Sequence, residues 1–307
     1  MTQKINNKLV VILGPTASGK SSLALKLAKK FNGEIVCADS RQFYIDMDIG
    51  TAKPTKKEQK AIPHHLFNVV LPNKPLNVAL YKKIAEKAIK DIQKRGKVPF
   101  LVGGTGLYIK SIVDNLQFPK LKPSPKLRKE LEQKTALQLF TIYKKLDKKG
   151  AKQIDKDNRR RLIRAIEVCK ITGKPFWEQR QQQAPLFDVL QIGLDVSKTE
   201  LEKRITKRTE KMLKAGLEKE VKSLIKKYGW TPVLQNTIGY SEWQDPKELI
   251  GELVALHTIQ YAKRQMTWFA KDKKIAWVKN YTQAIKLVKL FFNEHRSKKK
   301  RNCNHCN

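Results

Sequence analysis

The chain has 307 residues, and its 64 lysines and arginines outnumber the 28 aspartates and glutamates, for a formal charge of +36. Apolar residues make up 40%, too many for a wholly disordered chain and too few for an integral membrane protein. No run approaches the roughly 18–20 consecutive apolar residues that span a bilayer, and the opening MTQKINNKLV holds no secretory signal core, so the expectation is a soluble, cytoplasmic protein without membrane association. So large a positive excess favours polyanionic partners, because each phosphate neutralised by Lys or Arg releases counterion. A lysine-rich proteome would give the same bias without such a partner. The four cysteines, Cys37, Cys169, Cys303 and Cys306, are too few for a disulfide framework in a chain this long.

In chain order, Leu9 to Leu13 is an unbroken apolar run, which predicts a parallel strand buried on both faces. A Gly-rich turn and a helix follow, with Leu23, Ala24, Leu27, Ala28 and Phe31 at helical spacing and Asn32-Gly33 as its stop. A second short strand covers Glu34 to Ala38, a helix Val78 to Arg95, and a third buried strand Val98 to Val102, running into Gly103-Gly104-Thr105-Gly106. Alternating strands and helices predict an α/β domain with a parallel sheet. Beyond Asn115 the pattern becomes helical and rich in Lys and Arg. Ser124-Pro125 and Asp157-Asn158 open helices there, and Gly173 ends the second. Strand character returns at Val189 to Leu194. A helix from Lys198, another capped by Asp245-Pro246-Lys247-Glu248, a strand at Ile275 to Val278 and a final helix complete the pattern. The expected organisation is a P-loop NTPase-like parallel sheet core (residues 1–115 and 188–296) interrupted by a small all-helical domain (116–187). A basic disordered tail (297–307) follows.

Gly14-Pro15-Thr16-Ala17-Ser18-Gly19-Lys20-Ser21 matches the P-loop pattern in full, with a strand before it and a helix after. Its glycines let backbone N–H groups converge on phosphate oxygens, Lys20 adds a positive charge, and the Ser21 hydroxyl suits a Mg²⁺ shell. ATP, GTP and other diphosphates all fit such a cradle. Asp39 ends the second strand, where a carboxylate faces the ligand crevice of an open α/β sheet. Its residue type allows a Mg²⁺ ligand, a general base or a helix cap. On the helix after Asn158, 100° per residue puts Leu162, Ala165, Ile166 and Cys169 on a buried stripe. Arg160, Arg164 and Glu167 then fall opposite, with Arg161 at the flank. That face is either solvated or a phosphate clamp. His64-His65 lacks a metal-ligand partner at suitable spacing, and Cys303-Asn304-His305-Cys306 is half a zinc knuckle with no second pair.

Together these segments, from Val10 to about Phe269, resemble the tRNA dimethylallyltransferases. The likeness rests on the P-loop, Asp39-Ser40-Arg41-Gln42, Gly50-Thr51-Ala52-Lys53-Pro54 and Val102-Gly103-Gly104-Thr105-Gly106-Leu107-Tyr108. It continues through Arg161-Leu162-Ile163-Arg164-Ala165-Ile166-Glu167-Val168, Ile238-Gly239-Tyr240 and Ala262-Lys263-Arg264-Gln265. The resemblance implies transfer of a dimethylallyl group from dimethylallyl diphosphate to N6 of adenosine 37, beside the tRNA anticodon. Under it, Gly14, Pro15, Thr16, Ala17, Ser18, Gly19, Lys20, Ser21 and Arg208 hold the diphosphate, with Mg²⁺ at Ser21. Asp39 is the general base, and Thr16, Thr105 and Arg208 lie by the reacting groups. Asp39, Ser40, Arg41, Gln42 and Thr105 meet the flipped base and its loop, while Arg128, Arg160, Arg161, Leu162, Ile163 and Arg164 meet the anticodon stem-loop. One tRNA per monomer suffices. Asn68 stands where relatives commonly carry Asp, and Asp155 near a common His. Three rivals keep the P-loop: a nucleotide or small-molecule kinase, an RNA-binding protein in which the loop is a relict without catalysis, and an adenylate isopentenyltransferase, which has no use for the arginine-rich insertion.

Overall fold

The computed structural model describes residues 7–74, 76–119, 121–179 and 183–303, with side chains to residue 293 in the last helix. Six strands, β1 (Lys8–Leu13), β2 (Gly33–Cys37), β3 (His64–His65), β4 (Val98–Gly103), β5 (Asp188–Leu194) and β6 (Ile275–Val278), form one sheet. Its order is β3-β2-β4-β1-β5-β6, with every pairing parallel. The helices are α1 (Lys20–Lys30), α2 (Lys56–Ala61), α3 (Val78–Lys94), α4 (Gly106–Val113), α5 (Pro125–Glu132), α6 (Ala136–Leu146) and α7 (Lys148–Ala151). After them come α8 (Arg159–Thr172), α9 (Lys198–Lys214), α10 (Leu217–Tyr228), α11 (Pro232–Gln235), α12 (Ile250–Phe269) and α13 (Tyr281–Cys303).

The chain divides into two compact units. One comprises the chain up to Val113 and again from Leu186 onward; the other is Asp114–Pro185. In the first, Leu9, Val11 and Leu13 pack with Val36 and Leu101 under α3 and α4, through Tyr81, Ile89, Ile109 and Ile112. The alternate residues Val10 and Ile12 pack with Ile35, Phe100 and Ile192 under α1 and α13, through Leu23, Leu27, Ala284 and Val288. Both faces of the sheet are therefore covered, which is why β1 and β4 read as unbroken apolar runs. The chain passes from β1 outward to β2 and β3, back to β4, and then across β1 to β5. This reversal of direction at β1 opens a crevice at the carboxyl ends of the central strands.

The second unit is helical around Leu131, Leu139, Tyr143, Leu162, Ala165, Ile166 and Cys169. Ser124 caps α5 with its side chain, with Pro125 in the first turn; Asn158 caps α8, and Gly173 ends it at φ 68°. His64 and His65 form a short edge strand on β2. Two expectations need correction. The Asp245–Glu248 segment does not cap a helix: two 3₁₀ turns, Ser241–Gln244 and Lys247–Leu249, lead into α12, whose N-cap is Leu249 without a side-chain bond. The backbone of α13 is helical to Cys303, into the stretch read as a disordered tail; Asn304 to Asn307, with Cys306, lie outside the described residues.

Candidate active site

At the end of β1 the chain leaves the sheet at Gly14 (φ 142°), turns through Ala17 (φ 62°) and Gly19 (φ 97°) and enters α1 at Lys20. Gly14 and Gly19 sit where an L side chain is strained, and the turn aims the free N-terminus of α1 into the crevice. Lys20 reaches back so that its ammonium donates to the Pro15 carbonyl at 2.9 Å. Burial lowers its pKa to about 8, opposed by Asp39 and reinforced by Arg208. The Arg208 guanidinium, carried by α9, donates to the Thr16 hydroxyl at 2.8 Å. Its pKa is also lowered by burial, against the pull of Asp39. Among the described residues, the Arg208 Nε and the Ser18 Oγ are buried without a hydrogen-bond partner. Orphaned donors beside a P-loop suit an anion.

Asp39 lies two residues past β2. Its carboxylate accepts the Arg41 N–H at 2.9 Å, and the Ser40 N–H donates to the Thr105 hydroxyl at 2.9 Å. The Thr105 N–H in turn donates to the Ala38 carbonyl. This lacing brings the ends of β2 and β4 together so closely that a Cβ on Gly103 would lie 2.1 Å from the Ala38 oxygen. Gln42 donates to the Thr51 and Ala52 carbonyls at 3.0 and 3.1 Å, fixing the Gly50–Pro54 stretch beside it. Gln265 of α12 closes the group, accepting the Thr16 N–H and donating to the Gly104 carbonyl, both at 2.8 Å.

Two cavities open here. One, of about 290 Å³, is lined by Gly19, Lys20, Ser21 and Arg204 from the phosphate side and by Gln42, His64 and Phe67 opposite. The other, of about 330 Å³, is lined by Ser40, Arg41, Asn236, Thr258, Tyr261 and Arg264. Thr16, Asp39, Thr51 and Arg208 line both. The arrangement therefore places a phosphate cradle and a second binding space on either side of one carboxylate. Burial, then the charge of Asp39, raises the Tyr261 pKa, so this phenol stays protonated at neutral pH. Ser21 is exposed on the first cavity, which Asp39 also lines; oxygen donors of this kind suit Mg²⁺ beside a diphosphate.

The sequence profile of the IPP transferase family matches residues 42–272. A tRNA dimethylallyltransferase from Microcystis aeruginosa is 46% identical over 277 residues, covering 88% of this chain and 87% of its own. One from Carboxydothermus hydrogenoformans is 39% identical over 297 residues, covering 92% and 96%. This chain belongs to the IPP transferase family. Among solved structures, tRNA delta(2)-isopentenylpyrophosphate transferase from Staphylococcus epidermidis superposes with a TM-score of 0.67 at 37% identity, over 94% of this chain and all of that one. A eukaryotic dimethylallyltransferase acting on tRNA reaches 0.77 at 30% identity, over 91% of this chain and 75% of its own.

In this IPP transferase family member, the P-loop residues, Asp39, Ser40, Arg41, Gln42, Thr105 and Arg208 lie together at the crevice. The helical unit is different in detail. Glu167 does not face solvent: it is fully buried, and its carboxylate takes Arg128 at 2.9 Å, Arg164, and the Ser124 N–H at 2.8 Å. Burial alone would raise its pKa, but Arg128, Arg164 and that amide bring it below the ordinary range. The side chains of Leu162 and Ile163 sit in the unit's core. Arg160 is exposed and Arg161 half-buried. Sequence reasoning missed the roles of Gln265 and Tyr261. Both lie in the aromatic and basic run of α12, which by pattern alone fits core on one face and solvent on the other.

Proposed function

We propose that this chain transfers a dimethylallyl group from dimethylallyl diphosphate to the exocyclic N6 of adenosine 37 in tRNA, releasing diphosphate. The observation that carries the reading is the meeting of the two cavities at Thr16, Asp39, Thr51 and Arg208. The diphosphate end of the donor sits on the P-loop side, and the acceptor adenine, flipped from the anticodon loop, enters from the side of Arg41 and Arg264.

N6 attacks the allylic carbon as its bond to the diphosphate oxygen breaks. The electron pair leaves with that oxygen, where the loop amides, Lys20 and Arg208 stabilise the growing charge. Asp39 accepts the proton that N6 loses. An aryl amine is a weak nucleophile, so holding it in line with the carbon contributes alongside proton removal. Ser21 would hold Mg²⁺, which when bound neutralises part of the diphosphate charge. Thr16 and Thr105 orient the loop and Asp39 through the bonds described above. Arginines of the helical unit, chiefly Arg160 and Arg161, supply sequence-independent phosphate contacts. The reading has the chain work as a cytoplasmic monomer with one tRNA at a time.

The test incubates the protein with Mg²⁺, radiolabelled dimethylallyl diphosphate and unmodified tRNA carrying adenines at positions 36 and 37, without ATP, with AMP as the parallel acceptor. Label on tRNA alone is expected. Label on AMP would favour an adenylate isopentenyltransferase, and label on neither would remove prenyl transfer.

A further inference from the structure

Two sequence motifs, Gly50-Thr51-Ala52-Lys53-Pro54 and Ile238-Gly239-Tyr240, supply no group that makes or breaks a bond in the chemistry above, yet they meet. A Cβ on Gly50 would lie 2.5 Å from the Tyr240 ring, and one on Gly239 would lie 3.2 Å from the Gly50 oxygen. Gly239 is at φ 94°. Between the motifs stands Glu220 of α10. Its carboxylate accepts three consecutive backbone amides, from Asp48 at 3.1 Å, Ile49 at 2.7 Å and Gly50 at 3.0 Å. It also accepts the Tyr240 hydroxyl at 2.7 Å. The same helix grips the loop a second time, where Lys227 and the Tyr228 hydroxyl donate to Asp46, each at 2.8 Å.

The loop so held is a wall of the site. Gly50 and Thr51 line the cavity on the acceptor side, and Thr51 continues into the shared junction beside Asp39. Elsewhere the wall is tied by two neutral bonds from Gln42 to the Thr51 and Ala52 carbonyls and by the buried Lys53 ammonium, which donates to the Asp48 carboxylate, the Tyr44 carbonyl and the Asn68 side chain but not to Gly50. Charge-assisted bonds to a carboxylate are roughly twice as strong as neutral ones, so four of them on one side chain make Glu220 the main anchor of Gly50. None of its partners belongs to the phosphate cradle.

We propose that Glu220 is a positioning residue for the acceptor substrate: it fixes the Gly50–Thr51 wall against Tyr240 and thereby sets where the adenine lies relative to Asp39. The proposal rests on the prenyl-transfer reading. Glu220→Ala removes the anchor. Glu220→Gln keeps one oxygen for the Asp48 and Ile49 amides but turns an NH₂ toward Gly50, so it should fall between Ala and wild type. The measurements are kcat/KM for tRNA in dimethylallyl transfer, Kd for dimethylallyl diphosphate, and hydrogen exchange at the amides of residues 48–50.

The expected result is a fall in kcat/KM for tRNA of about tenfold in Glu220→Gln and more in Glu220→Ala, by analogy with misplaced reacting groups. The diphosphate Kd should stay within about threefold, and exchange at residues 48–50 should accelerate. If Glu220→Ala does not fold, Glu220→Gln and Tyr240→Phe, which keeps the ring over Gly50, carry the same test. Wild-type kcat/KM in a folded Glu220→Gln variant, or an equal loss in diphosphate affinity, would overturn the proposal. Failure of the wild-type protein to prenylate tRNA would overturn the underlying reading instead, and the exchange result would then still report whether Glu220 anchors the loop.

Discussion

The Arg208 guanidinium donates to the Thr16 hydroxyl at 2.8 Å while its Nε stays buried without a partner. One face of the group is thus fixed on the P-loop and another donor is left for an anion. An arginine placed this way needs no reorganisation when charge develops on a leaving diphosphate, the condition under which a single donor contributes most. Arg208→Ala should lower kcat for tRNA prenylation by about 10²–10³-fold with tRNA binding unchanged. Arg208→Lys should recover little, since an ammonium cannot serve Thr16 and the diphosphate with a rigid fork. Single-turnover rates with saturating tRNA measure this, and a loss of tRNA affinity to match would assign Arg208 to the acceptor.

Lys20 makes donor binding depend on pH. Burial brings its pKa down to about 8, so the free protein loses this charge as pH rises through 8. In the complex the diphosphate holds the proton on, and its pKa moves up. Affinity for dimethylallyl diphosphate should therefore be level below pH 8 and fall above it, approaching tenfold per pH unit until the pKa of the complex is reached. Lys20→Ala should bind weakly and without that slope. Titration of donor affinity between pH 6.5 and 9.5 reads both; a flat wild-type profile would place Lys20 away from the diphosphate.

Much of this site is legible in the sequence because its signals are local. β1 is continuous and apolar because both of its faces are covered, and Gly14 and Gly19 stand where the phosphate turn needs positive φ. The caps Ser124, Asn158 and Gly173 act within three or four residues of themselves. What escapes is polar and distant. Gln265 meets Thr16 from 249 residues away, and Glu220 meets Gly50 from 170. A helical wheel assigns Glu167 to solvent because it scores a carboxylate as polar, with no knowledge that Arg128 approaches it from another helix. The two-residue strand β3 is too short to carry any period at all.

That buried carboxylate separates two roles among the arginines of the helical unit. Arg128 and Arg164 neutralise Glu167, which is fully buried, whereas Arg160 is exposed. Arg128→Ala would leave a buried charge with one partner fewer, a change that costs about 3–5 kcal/mol when a pair is broken outright. The expected outcome is a clear drop in thermal stability, partly restored by adding Glu167→Gln. Arg160→Ala with Arg161→Ala should leave stability nearly unchanged. It should weaken tRNA binding and lower the slope of log affinity against log salt by about one to two. Melting curves and salt titrations of tRNA binding decide it; an unchanged salt slope would remove these two side chains from the tRNA interface.

Asp39 is bound to its neighbours in a way that lets charge be removed without moving the chain. Its Oδ1 accepts the Arg41 N–H, a bond that the amide oxygen of Asp39→Asn can keep, so the variant should hold the turn that follows β2 while losing the ability to take a proton. Prenylation should fall by about 10²–10⁴-fold, the range for a general base, with both substrates still bound. A second consequence follows from the electrostatics. The Asp39 charge raises the pKa of Lys20 against the effect of burial, so removing it should shift the pH at which donor affinity begins to fall to below 8. Rate and donor-affinity profiles measured on the same variant test the two claims together. Loss of rate with an unmoved affinity profile would keep Asp39 as the base and separate it from Lys20. An unaffected rate would take the proton-accepting role away from Asp39.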